Sequence, residues 1–421
     1  MQRQFKYDLS HHSDKNKDIL GKRHGKYYYI DDQYSNIHKL IISGPVSPAS
    51  SSYILRNDIK QRIARGENIV LFSNTEDIYA SQLEYLQEAG YNIACIDTRP
   101  INMNRTASYN PFDCLSMSSS SLAARAYQLS SYCLFGSMAL DYYETIEAKI
   151  LSSIILYIKY IKSKNPTIED ISDYISNIRI EGIKKYFDSF YECSQMHDGI
   201  IQEAYKIYEN ICESLSLDVS PYHNTKENIE ASGILDRMGY VCSRISYMAK
   251  MGAATLQNGI DMQEFITEKS FICVITPYNS ADAQSYESFV LKSMLFARAL
   301  IKNTKESYPP TTYIIEDASN IFWPEEIFSI AGADDSLSFD IQYPSVKEIY
   351  RKNFKPGDRT LHLSHFDAKI LLRAEDEETV QYFSNLLNVK PSKIREKTPN
   401  DLYCKLNGTE KGVKLKKIKI G

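Results

Sequence analysis

Tryptophan is nearly missing from this chain of 421 residues, which holds one. No two of the eight cysteines stand in a C-x-x-C spacing. That excludes a zinc ribbon, and residues such as Cys273, inside Phe271-Ile272-Cys273-Val274-Ile275, read as small buried hydrophobes of a reducing compartment. A basic excess is also lacking: 49 Lys and Arg face 53 Asp and Glu, a net charge of -4, which excludes a dedicated nucleic-acid-binding composition for the chain as a whole. Long apolar runs are absent. The greasiest stretch, Ile150 to Ile161, is broken by Lys159 and is too short to span a bilayer. Met1-Gln2-Arg3-Gln4-Phe5-Lys6 carries no apolar core of a signal peptide. A cytoplasmic, soluble protein is expected. With 43% apolar residues, the chain has enough greasy surface for a large core, and its length predicts two or three domains.

Periodicity divides the chain. Residues 1–37 are polar and rich in Tyr and His, and read as an arm or a lead-in strand pair. Buried-strand runs then appear near 39–43, 68–72 and 91–96, and again near 270–276, 312–316 and 337–342. Helical spacings stand between them, over Ser52–Arg65, Asp77–Ala89 and Ser285–Lys302, with Gly66 and Gly90 as stops after the first two. Strand and helix in alternation predict a mostly parallel sheet. Residues 115–255 instead carry almost only helical periods and read as an all-α insert. Short strands near 359–363 and 368–373 follow, then a helix over Glu377–Leu387. The stretch 396–421 reads as a basic tail, with Lys411, Lys414, Lys416, Lys417 and Lys419.

Four places carry candidate chemistry. The first is the turn after the 39–43 strand. A phosphate-cradling loop reads Gly-x-x-x-x-Gly-Lys-Ser/Thr, because glycine amides approach phosphate, lysine neutralises it and the hydroxyl holds Mg²⁺. Here Gly44 fits the first glycine and Ser51 the hydroxyl, but Ala49 replaces the second glycine and Ser50 the lysine. Taken alone, the stretch fits an ordinary turn better. Second, Glu316 and Asp317 end a strand, where paired carboxylates order a metal and a water in nucleotide hydrolases; two solvated acids are the alternative. Third, Gln342 stands at a strand tip, where a polar group reads a terminal phosphate. Fourth, His362 and His365 have a helical metal spacing on a stretch that reads as strand and turn, with no acid or cysteine to complete a zinc set. No metal is assigned.

The order of these signals resembles the coupling ATPases of conjugation and type IV secretion, the TraG/TraD group, across roughly residues 38–390. Gly90-Tyr91-Asn92-Ile93 followed by Ser108-Tyr109-Asn110-Pro111-Phe112-Asp113 is similar to the family's segment before its all-α domain. Ile314-Ile315-Glu316-Asp317-Ala318-Ser319-Asn320 looks like its acidic strand. Asp340-Ile341-Gln342-Tyr343-Pro344-Ser345 looks like its glutamine segment, and Asp376-Glu377-Glu378-Thr379-Val380-Gln381-Tyr382 its "DxETAxY" run. The resemblance implies a RecA-like P-loop NTPase fold split over 38–114 and 256–395, with the all-α domain at 115–255. It also exposes systematic departures. The loop lacks its lysine, the acidic pair is transposed, and Ser73-Asn74-Thr75-Glu76-Asp77 stands where the family has "DPKGE". Ala331-Gly332-Ala333-Asp334-Asp335 is acidic where an arginine is usual, and the N-terminal transmembrane helices of many members have no counterpart in this sequence. Neither Lys39 nor Arg56 takes the place of the missing lysine.

These departures imply a pseudo-ATPase, a binding or scaffold component of a conjugative transfer or secretion apparatus. Gly44, Ala49, Ser50 and Ser51 would then be a vestigial phosphate loop, and Glu316, Asp317 and Gln342 vestigial catalytic positions. No cofactor is expected. The partners implied are secretion or conjugation proteins, with DNA or a relaxosome and homo- or hetero-oligomers as further candidates, and the place is the cytoplasm, meeting the inner membrane through partners. Two alternatives stay open: an active divergent ATPase moving DNA or protein with ATP and magnesium, and a regulatory protein of a mobile element reusing the fold.

Overall fold

The computed structural model describes residues 7–10, 17–30, 37–44, 48–99, 107–116, 121–135, 138, 140–181, 241, 245, 259–276, 281–302, 308–320, 334–352 and 363–418. The chain divides into two compact units: Met1–Thr106 with Asp261–Asn279 and Glu306–Gly421, and Ala107–Ile260 with Ser280–Lys305.

The first unit is built on one sheet. Its strands are β1 (Tyr7–Ser10), β2 (Ile19–Arg23), β3 (Lys26–Ile30), β4 (Lys39–Ile42), β5 (Asn68–Ser73), β6 (Asn92–Asp97), β7 (Ser270–Ile275), β8 (Thr311–Ile315), β9 (Leu337–Tyr343), β10 (Ala368–Leu371), β11 (Asp401–Leu406) and β12 (Val413–Lys416). Their order is β1-β3-β2-β12-β11-β10-β4-β9-β8-β5-β7-β6. From β10 to β6 every neighbour pair is parallel. Six of these seven parallel strands, β4 to β9, are the buried-strand runs expected from sequence, and the seventh, β10, is the short strand expected near 368–373. Asn68-Ile69-Val70-Leu71-Phe72-Ser73 and Ser270-Phe271-Ile272-Cys273-Val274-Ile275 are buried at every position, because helices cover both faces of a parallel sheet.

The expectation of a mostly parallel sheet needs correction, since the sheet is mixed. The stretch 1–37, expected as an arm or a lead-in strand pair, holds strands β1 to β3, and the stretch expected as a basic tail holds β11 and β12, all antiparallel. The reason is alternation: Leu402, Cys404, Leu406 and Leu415 turn inward onto the core, while lysines and tyrosines between them mask the apolar signal. The strand expected near 359–363 lies almost wholly outside the described residues.

Helix α1 (Pro48–Ala64) lays Ile54, Leu55, Ile59 and Ile63 over Ile41 of β4, and Gly66 at φ 71° ends the segment. Each such side chain removed from water contributes about 1.5–3 kcal/mol. Helix α2 (Asp77–Glu88) buries Ile78 and Leu86, and stops at Gly90, φ 73°.

The second unit holds α3 (Leu122–Phe135), α4 (Tyr142–Lys162) and α5 (Ile168–Glu181). A capping box fixes the start of α4: Asp141 accepts from the Glu144 amide and Glu144 accepts from the Asp141 amide. The Asn110-Pro111-Phe112-Asp113 segment is a built turn. Asn110 accepts from the Phe112 amide at 3.2 Å and donates to Asp113 at 2.8 Å and to the Pro166 carbonyl at 3.2 Å. Phe112 packs against Phe289, ring centres 5.7 Å apart, on a 22-residue helix (Ala281–Lys302) of the same unit. Most of residues 182–258, part of the expected all-α insert, lies outside the described residues. No helix among the described residues is long and apolar enough to cross a membrane.

Candidate functional site

Parallel strands present their C-terminal ends along one edge, and the turns there carry the chemistry of open α/β sheets. In five adjacent strands this edge ends in Arg373 (after β10), Gly44 (after β4), Gln342 (in β9), Glu316 and Asp317 (after β8) and Ser73 (in β5).

Gly44 lies at φ 78°, a left-handed conformation that leaves glycine at home and strains any other residue. A Cβ there would meet Arg373 Cβ at 2.9 Å and its Cγ at 3.0 Å, so the arginine stem runs directly across this glycine. Ser43 closes the turn: its amide donates to the Tyr343 carbonyl at 3.0 Å and its hydroxyl to the Gly44 carbonyl at 3.0 Å. Ala49, Ser50 and Ser51 lie in the first turn of α1. Residues 45–47 of the loop lie outside the described residues.

The acids expected at this edge are brought together there. Glu316 accepts from the Ser73 hydroxyl at 2.5 Å, and its amide donates to the Phe72 carbonyl at 2.9 Å. Burial raises the Glu316 carboxyl above its ordinary range; Asp317 and Asp77 push the same way, against the Ser73 hydrogen bond and Arg56. Asp317 takes a left-handed backbone, φ 55°, and is hydrogen-bonded by Ser319. Asp77 opens α2, and Arg56 of α1 reaches its carbonyl at 3.3 Å. Arg56 therefore sits among the acids rather than beside Gly44.

Gln342 stands one residue short of the strand tip, paired with Ile41. It is fully buried, and neither its amide nitrogen nor its amide oxygen has a hydrogen-bond partner among the described residues. Asp340, two residues earlier on the same sheet face, meets Arg62 of α1 at 3.4 Å, so Gln342 faces α1 as well. A buried amide left unpaired costs on the order of 1–3 kcal/mol, which marks the place as built for a polar group.

Lys39 is at the opposite end of β4. There it meets Asp58 at 3.0 Å, Asp18 at 3.6 Å and Asp340 at 3.6 Å, and Arg62 meets Glu67 at 3.0 Å, all buried. Sequence reasoning missed this cluster. It missed Arg373 as well, for which the available signal was the first charged residue after a buried parallel strand. His362 lies outside the described residues, and no metal-holding cluster exists among the described residues.

No protein-family model matches the chain, and no curated protein matches it by sequence. Solved structures do match. The bacterial conjugative coupling protein TrwBdeltaN70, in an unbound monoclinic form, superposes with a TM-score of 0.67 at 11% identity, over 97% of this chain and 90% of that one. The chain has the coupling-protein fold. TrwB in complex with ADP and Mg²⁺ matches with a TM-score of 0.60 at 11% identity, over 91% of this chain and 86% of that chain. VirB4 of Thermoanaerobacter pseudethanolicus matches with a TM-score of 0.54 at 11% identity, over 97% of this chain and 98% of that chain. In this chain the strand order sets Gly44, after β4, in the row that runs through Gln342 of β9 to Glu316 and Asp317 after β8.

Proposed function

We propose that the chain is a catalytically degenerate homologue of the coupling proteins, a pseudo-ATPase that serves as a binding or scaffold component of a conjugative transfer or type IV secretion system. Its partners are other proteins of that apparatus. It works in the cytoplasm, and residues 115–255 form an all-α insertion that carries much of the partner contact.

The observation that carries this reading is the state of Glu316. Its carboxyl is held by Ser73 and pushed upward by burial, with Asp317 and Asp77 beside it. Burial and the neighbouring carboxylates disfavour the charged form of Glu316, and the same carboxylates repel an incoming polyanion. Opposite them the stretch 44–51 holds no lysine. A charge-assisted contact of that kind contributes on the order of 1.5–3 kcal/mol to ground-state binding, and more where charge develops during phosphoryl transfer. Gln342 and Gly44 fit a phosphate; the acidic set does not fit metal-assisted hydrolysis. The edge supplies positions for phosphate without the means to cleave it.

Loop restoration tests the reading. Ala49→Gly with Ser50→Lys is expected to tighten the binding of ATP with Mg²⁺, measured by calorimetry, relative to the wild type. Tight binding in the wild type that the double replacement does not improve would contradict it.

A further inference from the structure

The chain is acidic overall, with a net charge of -4, yet nine Lys and Arg face three Asp and Glu between Lys390 and Ile418. The antiparallel strands spread these cations over one surface. Lys416 of β12 stands opposite Lys22 of β2, Lys22 stands opposite Tyr27 of β3, and Lys414 stands opposite Tyr403 of β11. Directly opposed residues share a face, and so do residues two apart on one strand. Lys414, Lys416 and Lys22 therefore lie side by side on the face turned away from Leu402, Cys404 and Leu415 of the core. The Lys414 and Lys416 side chains are 48% and 64% exposed. The short helix Pro391–Arg395 flanks this face: the Tyr403 hydroxyl donates to the Lys393 carbonyl at 3.2 Å, and Lys390, Lys393 and Arg395 are exposed.

The local acids do not balance these cations. Asp401 is buried and shared between Lys414 at 3.0 Å and Lys416 at 2.6 Å; the other two acids of the stretch, Glu396 and Glu410, are exposed. Lys397 finds a carbonyl, that of Asp401 at 2.6 Å, and is pushed down to about 8 by burial first, then by Lys417, Lys414 and Arg373, against the pull of Asp401. The kind of cation decides the partner. Eight of the nine are lysines, hydrated point charges suited to diffuse attraction rather than to a forked grip on one phosphate or base. The two tyrosine rings that could stack bases are covered instead: the Lys22 ammonium stands 4.5 Å from the Tyr27 ring centre, and that of Lys414 6.0 Å from the Tyr403 ring centre. A field of lysines without an open stacking platform fits the charged plane of an anionic bilayer better than a nucleic acid.

We propose that this lysine face docks directly on the anionic phospholipid surface of a membrane. Docking needs no nucleotide, so it stands whether or not the chain hydrolyses ATP. Attraction to a charged leaflet acts within about one Debye length, ~10 Å at 0.1 M salt, so only cations in one plane count. Lys22, Lys414 and Lys416 meet that condition, because neighbouring strands lie about 4.8 Å apart. The alternation of β12 then has a use on both faces: Leu415 fastens the strand to the core, and Lys414 and Lys416 on either side of it meet the headgroups.

Flotation of the full chain with vesicles of phosphatidylglycerol and phosphatidylcholine, about three parts to seven, tests it. Binding is expected at about 0.1 M salt and is expected to be lost at about 0.5 M, and on vesicles of phosphatidylcholine alone. Lys22→Gln, Lys393→Gln and Lys416→Gln together are expected to weaken partitioning about tenfold or more, and the same three changed to Arg to keep it within about threefold. Lys60→Gln, Lys164→Gln and Lys269→Gln together remove the same charge elsewhere and are expected to leave partitioning within about threefold. Lys414 keeps its pair with Asp401 in every variant, and unfolding midpoints check the fold. Equal losses in the two triple Gln variants would overturn the proposal. So would a failure to bind the mixed vesicles, or a DNA duplex bound through Lys22, Lys393 and Lys416 where the vesicles are not.

Discussion

The two ends of β4 solve opposite problems with the same kinds of residue. At the N-terminal end, Lys39, Arg62 and Arg65 meet Asp18, Asp58, Glu67 and Asp340, buried and closely paired. At the C-terminal end, Glu316 and Asp317 stand in the same row of strand ends as Gly44, Gln342 has no hydrogen-bond partner among the described residues, and Arg373 reaches outward. Buried charges held within ion-pair distance of one another are structural, and each depends on the rest. Polar groups that the fold positions but leaves unpaired point to something outside the chain. Lys39 stands just before the loop in sequence without replacing its missing lysine, and three carboxylates within 3.6 Å show where its charge is committed.

The comparison breaks most sharply at the N-terminal end. Lys39→Met leaves Asp58 and Asp340 buried without their ammonium, and a loss of about 3–5 kcal/mol is expected in urea unfolding. Arg373→Ala at the other end is expected to change stability by less than about 0.5 kcal/mol, since its ion pair is exposed. Equal losses would erase the distinction.

A second expectation concerns two glycines with left-handed backbones, one at each edge of the parallel strands. Gly90, φ 73°, has nothing within 4 Å of an added Cβ, whereas Gly44 has the Arg373 stem at 2.9 Å. Gly90→Ala is expected to cost about 1–2 kcal/mol for the left-handed backbone alone, and Gly44→Ala about 1 kcal/mol more for the steric clash. Similar values for both would remove Arg373 from the Gly44 turn.

The smallest effect is a pH slope. Four carboxylates face three cations in the buried cluster, so one acid is left over. That acid is Asp58: burial raises it, Lys39 opposes, Asp340 and Asp18 add to the rise, and it is pushed up to about 6. The fold therefore favours its protonated form. Its contribution is complete below the unfolded carboxyl value of 3.8 and is lost as pH rises through about 6. Asp18 runs the other way. Burial would raise it, but Arg62, Lys39 and Arg65 hold it well below the usual carboxylate range, so its contribution is lost as pH falls. Unfolding midpoints between pH 5 and 7.5, on the order of one titration span, are expected to fall for the wild type and to flatten in Asp58→Asn.

How much of this was legible follows from the physics of each part. The parallel strands read easily because a strand buried on both faces is a continuous apolar run, as in β5 and β7. Strands β11 and β12 hid because their core residues Leu402, Cys404, Leu406 and Leu415 alternate with polar and tyrosine side chains. Gly44, Glu316, Asp317 and Gln342 were found by order along the chain, which the topology converts to adjacency at one edge. The Lys39 cluster was invisible, since its members are scattered from Asp18 to Asp340. Arg373 reads as the end of the strand near 368–373, and only the return of β10 to β4 joins it to Gly44.

Phosphate release from ATP with Mg²⁺, measured on the full chain beside Glu316→Gln, tests the central claim most directly. The account predicts no turnover above that of the Glu316→Gln variant. Turnover in the wild type that Glu316→Gln abolishes would contradict it and establish an active ATPase.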